Sequence, residues 1–219
     1  MTDMDWLIWA RGPGLSVALA IFFFGMMLRA FEILGLGRKM DLSVTRSDSP
    51  GSGWRTMVTR SLPIPSLRRR APVTHLLGYV FHIGLLISVA FFVPHIQLLR
   101  HTVGVSWPAL PTPLVDAAAL ITLVALVAVA IHRARDPVKR FLSGFEDWFT
   151  LALTFLPMLT GYLSFHHMLL PYTLMLALHI LSVEVLLVFM PFTKLAHFGS
   201  LFLARWYNGD LAGHKGVAS

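Results

Sequence analysis

The sequence predicts an all-α integral membrane protein: a bundle of five transmembrane helices with the N-terminus outside and the C-terminus in the cytoplasm. Three observations predict it. Hydrophobic residues make up 56% of the 219 positions and charged residues 13%, about half the charged share of a soluble domain. Mean hydropathy is +0.69. The apolar residues fall in five long blocks, 13–36, 73–99, 114–132, 145–165 and 172–193, each long enough to cross a bilayer core of about 30 Å.

The basic residues orient the blocks. Segment 37–71 carries Arg38, Lys39, Arg46, Arg55, Arg60, Arg68, Arg69 and Arg70. Segment 133–143 carries Arg133, Arg135, Lys139 and Arg140, and the tail from 193 carries Lys194, Arg205 and Lys215. Fifteen of the 18 Lys+Arg residues therefore lie on one side, which the positive-inside rule makes cytoplasmic. A net charge of +7 distributed beside apolar spans is a topology signal and excludes nucleic acid as the expected partner. The N-terminus, with Asp3 and Asp5 ahead of Arg11, reads as leading into a retained span and not as a cleaved signal. Segment 41–53, "DLSVTRSDSPGSG", reads as a flexible cytoplasmic loop, and 104–113, "GVSWPALPTP", as an external interfacial one. No internal repeat supports an inverted-repeat transporter. The whole chain reads as one membrane domain in a bacterial inner membrane.

No cysteine is present, so disulfides, thiolate-bound iron–sulfur clusters and covalent heme are excluded. The histidines carry the chemistry. His179 and His197 are 18 residues apart, five turns of an uninterrupted helix and about 27 Å of rise, which would place both rings on one face at opposite membrane levels. His82 and His95 on the second span supply one partner at each level; 13 residues of helix put His95 off the His82 face, and Pro94 is expected to rotate the end of that helix. His75 lies seven residues before His82 and competes for the inner site. His101, His132, His166, His167 and His214 fall at span ends or in tails and read as solvated or interfacial. Zinc would call for three or four ligands at one level. Two imidazoles per level, packed among apolar side chains, suit a bis-histidine heme b. Glu184 lies 500° of helix beyond His179, off its face, and must find a polar partner on a neighbouring helix or line a proton path.

"FHIG" at 81–84 and "LHILSVEVLLVFMPFTKLAHFGS" at 178–200 resemble the respiratory nitrate reductase gamma subunit, a membrane diheme cytochrome b. That family has five spans and a "PF(S/T)(R/K)LxH" motif, matched here at 191–197, and the related cytochrome b subunits of heterodisulfide-reductase-like and sulfite-reduction-associated complexes share its fold. The resemblance implies an inner heme on His82 and His197, an outer heme with His179 as one ligand, and Lys194 and Arg29 as heme-propionate partners. The family's fourth ligand would fall on Phe92, so His95 stands in as its substitute. It further implies a quinone site, placed at Arg100 and His101, and soluble iron–sulfur subunits on the cytoplasmic face. The expected function is electron transfer between the quinone pool and that partner. The rival expectations are a proton or ion transporter built on the intramembrane histidines and Glu184, and a heme-free membrane anchor.

Overall fold

The computed structural model describes residues 2–35, 44–46 and 52–217. Of the expected loop 41–53 only 44–46 and 52–53 are among the described residues, and Arg38 and Lys39 before it lie outside them. Every regular element among the described residues is helical: α1 (Asp3–Trp9), α2 (Leu15–Gly35), α3 (Ser52–Thr59), α4 (Pro65–Arg70), α5 (Pro72–Ala90), α6 (Val93–Val103), α7 (Thr112–Arg135), α8 (Pro137–Leu142), α9 (Phe145–Phe165), α10 (Tyr172–Phe189) and α11 (His197–His214). Five stretches are long and apolar enough to cross a membrane: Asp3–Gly35, Pro72–Ala90, Thr112–Arg135, Phe145–Phe165 and Tyr172–Phe192. The protein is a multi-pass membrane protein.

The chain divides into two compact units. The first comprises residues 1–19 and 73–188. Its core packs Leu123 and Leu126 of α7 against Met158 of α9, with Phe81 and Leu85 of α5 alongside. Gly84 lets α5 approach Thr122, whose hydroxyl turns back to the Ala118 carbonyl instead of remaining bare in an apolar contact. At one end a polar latch replaces the apolar packing. Lys139 reaches Thr74 and His132, and Arg133 pairs with Asp147 at 3.3 Å. Asp136 caps α8 through the amides of Val138 and Lys139, and the Lys139 amide holds its carboxyl below the ordinary range.

Three helix boundaries differ from the sequence expectation, each where proline or glycine rules the backbone. The first span does not begin at 13. It starts at Asp3, where Thr2 and Asp5 form a capping box, and passes through a π turn at Ala10–Gly14. Pro13 donates no hydrogen bond there, and the Leu15 amide reaches back five residues to Ala10. The second span does not run to 99. It ends at Ala90, and α6 restarts at Val93 with Pro94 in its first turn, because proline has no N–H to offer the Ala90 carbonyl four residues earlier and its ring would clash with it. The carbonyls orphaned at this break are taken up by the following loop: Trp107 donates its indole N–H to Ala90 at 2.7 Å, and the Leu110 amide bonds Phe91. The fifth span is not one helix from His179 to His197. It gives way at Met190–Phe192 and Lys194–Ala196 to short 3-10 turns, and His197 opens a new helix. The same-face argument for these two histidines, which needs five unbroken turns, therefore fails at Pro191.

The second unit comprises 20–72 and 189–219. Arg29 donates from Nε to the Pro191 carbonyl at 2.9 Å and from Nη1 to Glu32 at 2.9 Å. Its guanidinium thus satisfies a carbonyl released by the break in the last span. Helices α3 and α11 meet through glycines. Ser52 and Thr56 lie against Gly209, and Gly53 lies against Trp206. A Cβ at Gly209 would come within 2.5 Å of the Thr56 Cβ and 2.8 Å of the Ser52 carbonyl. Gly209→Val is expected to loosen α3 from α11 at a cost of about 1–3 kcal/mol. Limited trypsin digestion checks this, since cleavage after Arg55 and Arg60 should become faster than in the wild type.

Candidate functional site

The first unit brings two of the expected heme ligands together. His95 on α6 and His179 on α10 have ring centroids 6.3 Å apart and planes inclined by 28°. The break before α6 produces this. A helix continuing through 91 and 92 would carry His95 away, whereas the restart at Val93 turns its Nδ1 back to the Ser88 carbonyl, seven residues earlier, at 3.0 Å. His179 is fixed in the same manner by a different element. Its Nδ1 reaches the Pro157 carbonyl of α9 at 3.1 Å, with the Thr160 hydroxyl at 3.4 Å. Gly161 makes this approach possible, since a Cβ there would lie 2.9 Å from Cε1 of the imidazole. Ser182 bonds both the His179 carbonyl and Thr160, tying α10 to α9 just beside the ring.

A carbonyl oxygen only accepts, so each Nδ1 carries the hydrogen and each Nε2 keeps its lone pair. Among the described residues, the hydrogen bonds of both rings run through Nδ1. His82 and His197 are oriented alike: Nδ1 of His82 bonds the Gly78 carbonyl at 2.7 Å, and Nδ1 of His197 bonds the Lys194 carbonyl at 2.7 Å. His132, His166 and His214 contact side chains instead. Metal-binding histidines almost always donate their other ring N–H to a backbone carbonyl, a carboxylate or a water, which fixes the tautomer and raises the basicity of the ligating nitrogen.

The His95–His179 centroid separation of 6.3 Å is compatible with two imidazoles sharing one metal. With metal–nitrogen bonds of about 2.0–2.1 Å on opposite sides of one ion, the ring centroids fall about 6–6.5 Å apart. Among the described residues no three of His, Cys, Asp or Glu converge on one point. The donor set is therefore two neutral nitrogens, which suits the axial positions of a heme.

The remaining expected residues are more dispersed. His82 falls in the first unit and His197 in the second. His75 lies on α5, half-buried, one turn from its cytoplasm-facing start in the expected orientation. Lys194 is exposed in the turn before His197, while Arg29 is engaged by Pro191 and Glu32. Arg100 and His101 are exposed in the last turn of α6.

Glu184 does not find the partner expected of it. It is 6% exposed, and its Oε1 has no hydrogen bond among the described residues. The carboxylate lies flat on the π turn of the first span: a Cβ on Gly14 would be 2.8 Å from both oxygens. An apolar group of similar shape is then expected to do as well or better. Glu184→Leu should raise the thermal aggregation midpoint in detergent, by a stabilisation of about 1–3 kcal/mol. A lowered midpoint would mean that the carboxyl makes a bond the fold depends on.

The sequence reading missed one pair. His166, at the C-terminal cap of α9, has its Nε2 2.7 Å from Oδ1 of Asp116 on α7. The signal was available, because Asp116 is the only acid in the apolar stretch 114–132.

A protein of Nitratidesulfovibrio vulgaris, described only as "Protein", is 32% identical over 215 residues, covering 95% of this chain and 94% of its own length. No family model matches the chain. No solved structure matches it.

Proposed function

This chain belongs to one family with that Nitratidesulfovibrio vulgaris protein, and we propose that it is the heme b-containing membrane subunit of a respiratory oxidoreductase. In this reading it transfers electrons between the quinone pool and soluble iron–sulfur subunits on the cytoplasmic face, as the resemblance to the nitrate reductase gamma subunit implies. The supporting observation is the His95–His179 pair: parallel within 28°, 6.3 Å apart, each ring anchored through Nδ1. The inner pair, His82 and His197, rests on the resemblance alone. The N-terminus is placed outside, which puts His95 and His179 towards the outer surface and the basic segments in the cytoplasm. The host membrane is the bacterial inner membrane.

Heme b, when bound, supplies a one-electron carrier whose potential follows from ligation and burial. The chain's own residues do the rest. The Ser88 and Pro157 carbonyls hold both imidazoles in the tautomer that offers Nε2. Gly161 and the Thr160–Ser182 contact keep the His179 ring from rotating away. Lys194, exposed in the turn before His197, is the residue the resemblance assigns to a propionate.

Electron entry tests this reading. The purified protein, oxidised and mixed with menadiol, should show its b-type absorption bands reduced. Bands that dithionite reduces and menadiol does not would refute the quinol-linked role. The unpartnered Glu184 is the one observation favouring a proton-transporting alternative. Uptake of protons by vesicles containing the heme-free protein would decide for it.

A further inference from the structure

The His166–Asp116 pair lies in the same unit as His95 and His179, and a run of rings leads from one to the other. Phe92 is 5.4 Å from His95 and 5.4 Å from Phe165, each in edge-to-face contact. Phe165 is 5.1 Å from His166, and Tyr162 is 4.4 Å from it. Asp116 stands 50 residues away in sequence, in the second turn of α7, so two separate spans converge to make the pair.

Its protonation pattern follows from its geometry. A carboxylate oxygen at 2.7 Å holds the hydrogen of His166 on Nε2, leaving Nδ1 as an acceptor. The two side chains are about one-third exposed, so a ligand can reach them from the end of the helices. The backbone that follows is held in an unusual shape. His167 has φ 52° and Leu169 φ 68°, left-handed values that non-glycine residues seldom adopt. Such conformations persist only where surrounding contacts enforce them, and they cluster at ligand clamps. Here the Met168 amide bonds Leu163 and the His167 amide bonds Ser164, folding the turn back over the end of α9 beside His166.

We infer that His166, oriented by Asp116 and flanked by Tyr162, Phe165 and Phe92, forms the hydrogen-bonding end of a binding site for a quinol headgroup. A quinol offers what these groups recognise: a hydroxyl that donates to Nδ1 and a planar apolar ring for the aromatic faces. The inference rests on the proposed quinone-linked role and moves the headgroup contact from Arg100 and His101 to His166. His166 is the binding residue. Asp116 is a positioning residue, acting through the tautomer it imposes.

The test is equilibrium binding of the fluorescent quinol analogue 2-heptyl-4-hydroxyquinoline N-oxide to the full-length protein in detergent, read by quenching. His166→Ala should weaken binding about tenfold or more, the effect of losing one directed hydrogen bond to a polar headgroup. His166→Gln, which keeps the size and a hydrogen-bonding amide, guards against a folding failure and should also bind more weakly. Asp116→Leu should follow His166→Ala, whereas Asp116→Asn, whose amide oxygen still accepts from Nε2, should recover most of the affinity. The double variant Arg100→Ala/His101→Ala should bind as the wild type does. Wild-type affinity in both His166 variants, or loss confined to the Arg100/His101 variant, would overturn the site. The assay needs no heme. His166-dependent binding by a protein without b-type bands would keep the site and remove the cytochrome reading instead.

Discussion

His179→Ala is expected to abolish one of two b-type centres while leaving the other, so the reduced α-band should fall by about half. The imidazole is held at 3.1 Å from the Pro157 carbonyl, and the His95 ring centroid is 6.3 Å from its own. Alanine leaves His95 without its facing ring, while His166 is bound to Asp116 and His167 stacks on Tyr172. His95→Ala should give the same spectrum. If the double variant loses no more than either single one, both residues serve one centre. A pyridine hemochrome assay on the three proteins measures this. An α-band unaffected by both single substitutions would contradict the assignment.

Gly161→Ala is expected to do nearly as much damage with a single methyl group. In an ordinary helix interior, alanine in place of glycine stabilises by about 0.5–1 kcal/mol. At this position the added Cβ would lie 2.9 Å from Cε1 and 3.1 Å from Nδ1 of His179. The ring must give way, and the Pro157 hydrogen bond that sets its tautomer gives way with it. The two effects have opposite signs, which makes the outcome diagnostic. The variant should be at least as stable as the wild type to heat in its heme-free form, yet retain about half the heme. Full heme content would show that the Gly161 approach does not position the ligand.

Legibility in the sequence varied with the kind of signal. The five spans and their all-helical character follow from hydropathy, and Phe145–Phe165 coincides with the expected block. Boundaries failed where a proline acts at a distance from an otherwise apolar run. Pro94 and Pro191 sit within stretches that hydropathy alone continues, and Pro13 sits within a helix that carries on through a π turn. Hydropathy measures transfer into lipid and is blind to a missing N–H.

The site was legible in part for the same reason. His95 was expected at the level of His179 from its depth on the second span, and the two rings come together through the break at Phe91 and Phe92. The carbonyls of Ser88 and Pro157 that orient them could not be read, because any residue supplies a carbonyl. Gly161 is one of 16 glycines, and nothing in its neighbours marks it as the one beneath an imidazole. His166 was assigned to the interface because a histidine at a span end looks solvated until Asp116 is brought to it from 50 residues away. Glu184 shows the converse. Its cost in an apolar span was evident, but the flat seat on Gly14 depends on a π turn that no pattern announced.

The central claim is that this membrane protein holds heme b between paired histidines. The dithionite-reduced minus oxidised spectrum of the purified full-length protein tests it most directly, with a pyridine hemochrome to count the groups. The account predicts a b-type α-band and about two hemes per chain, both at low spin as bis-histidine ligation requires. A protein purified intact from heme-replete cells with no b-type band would contradict it.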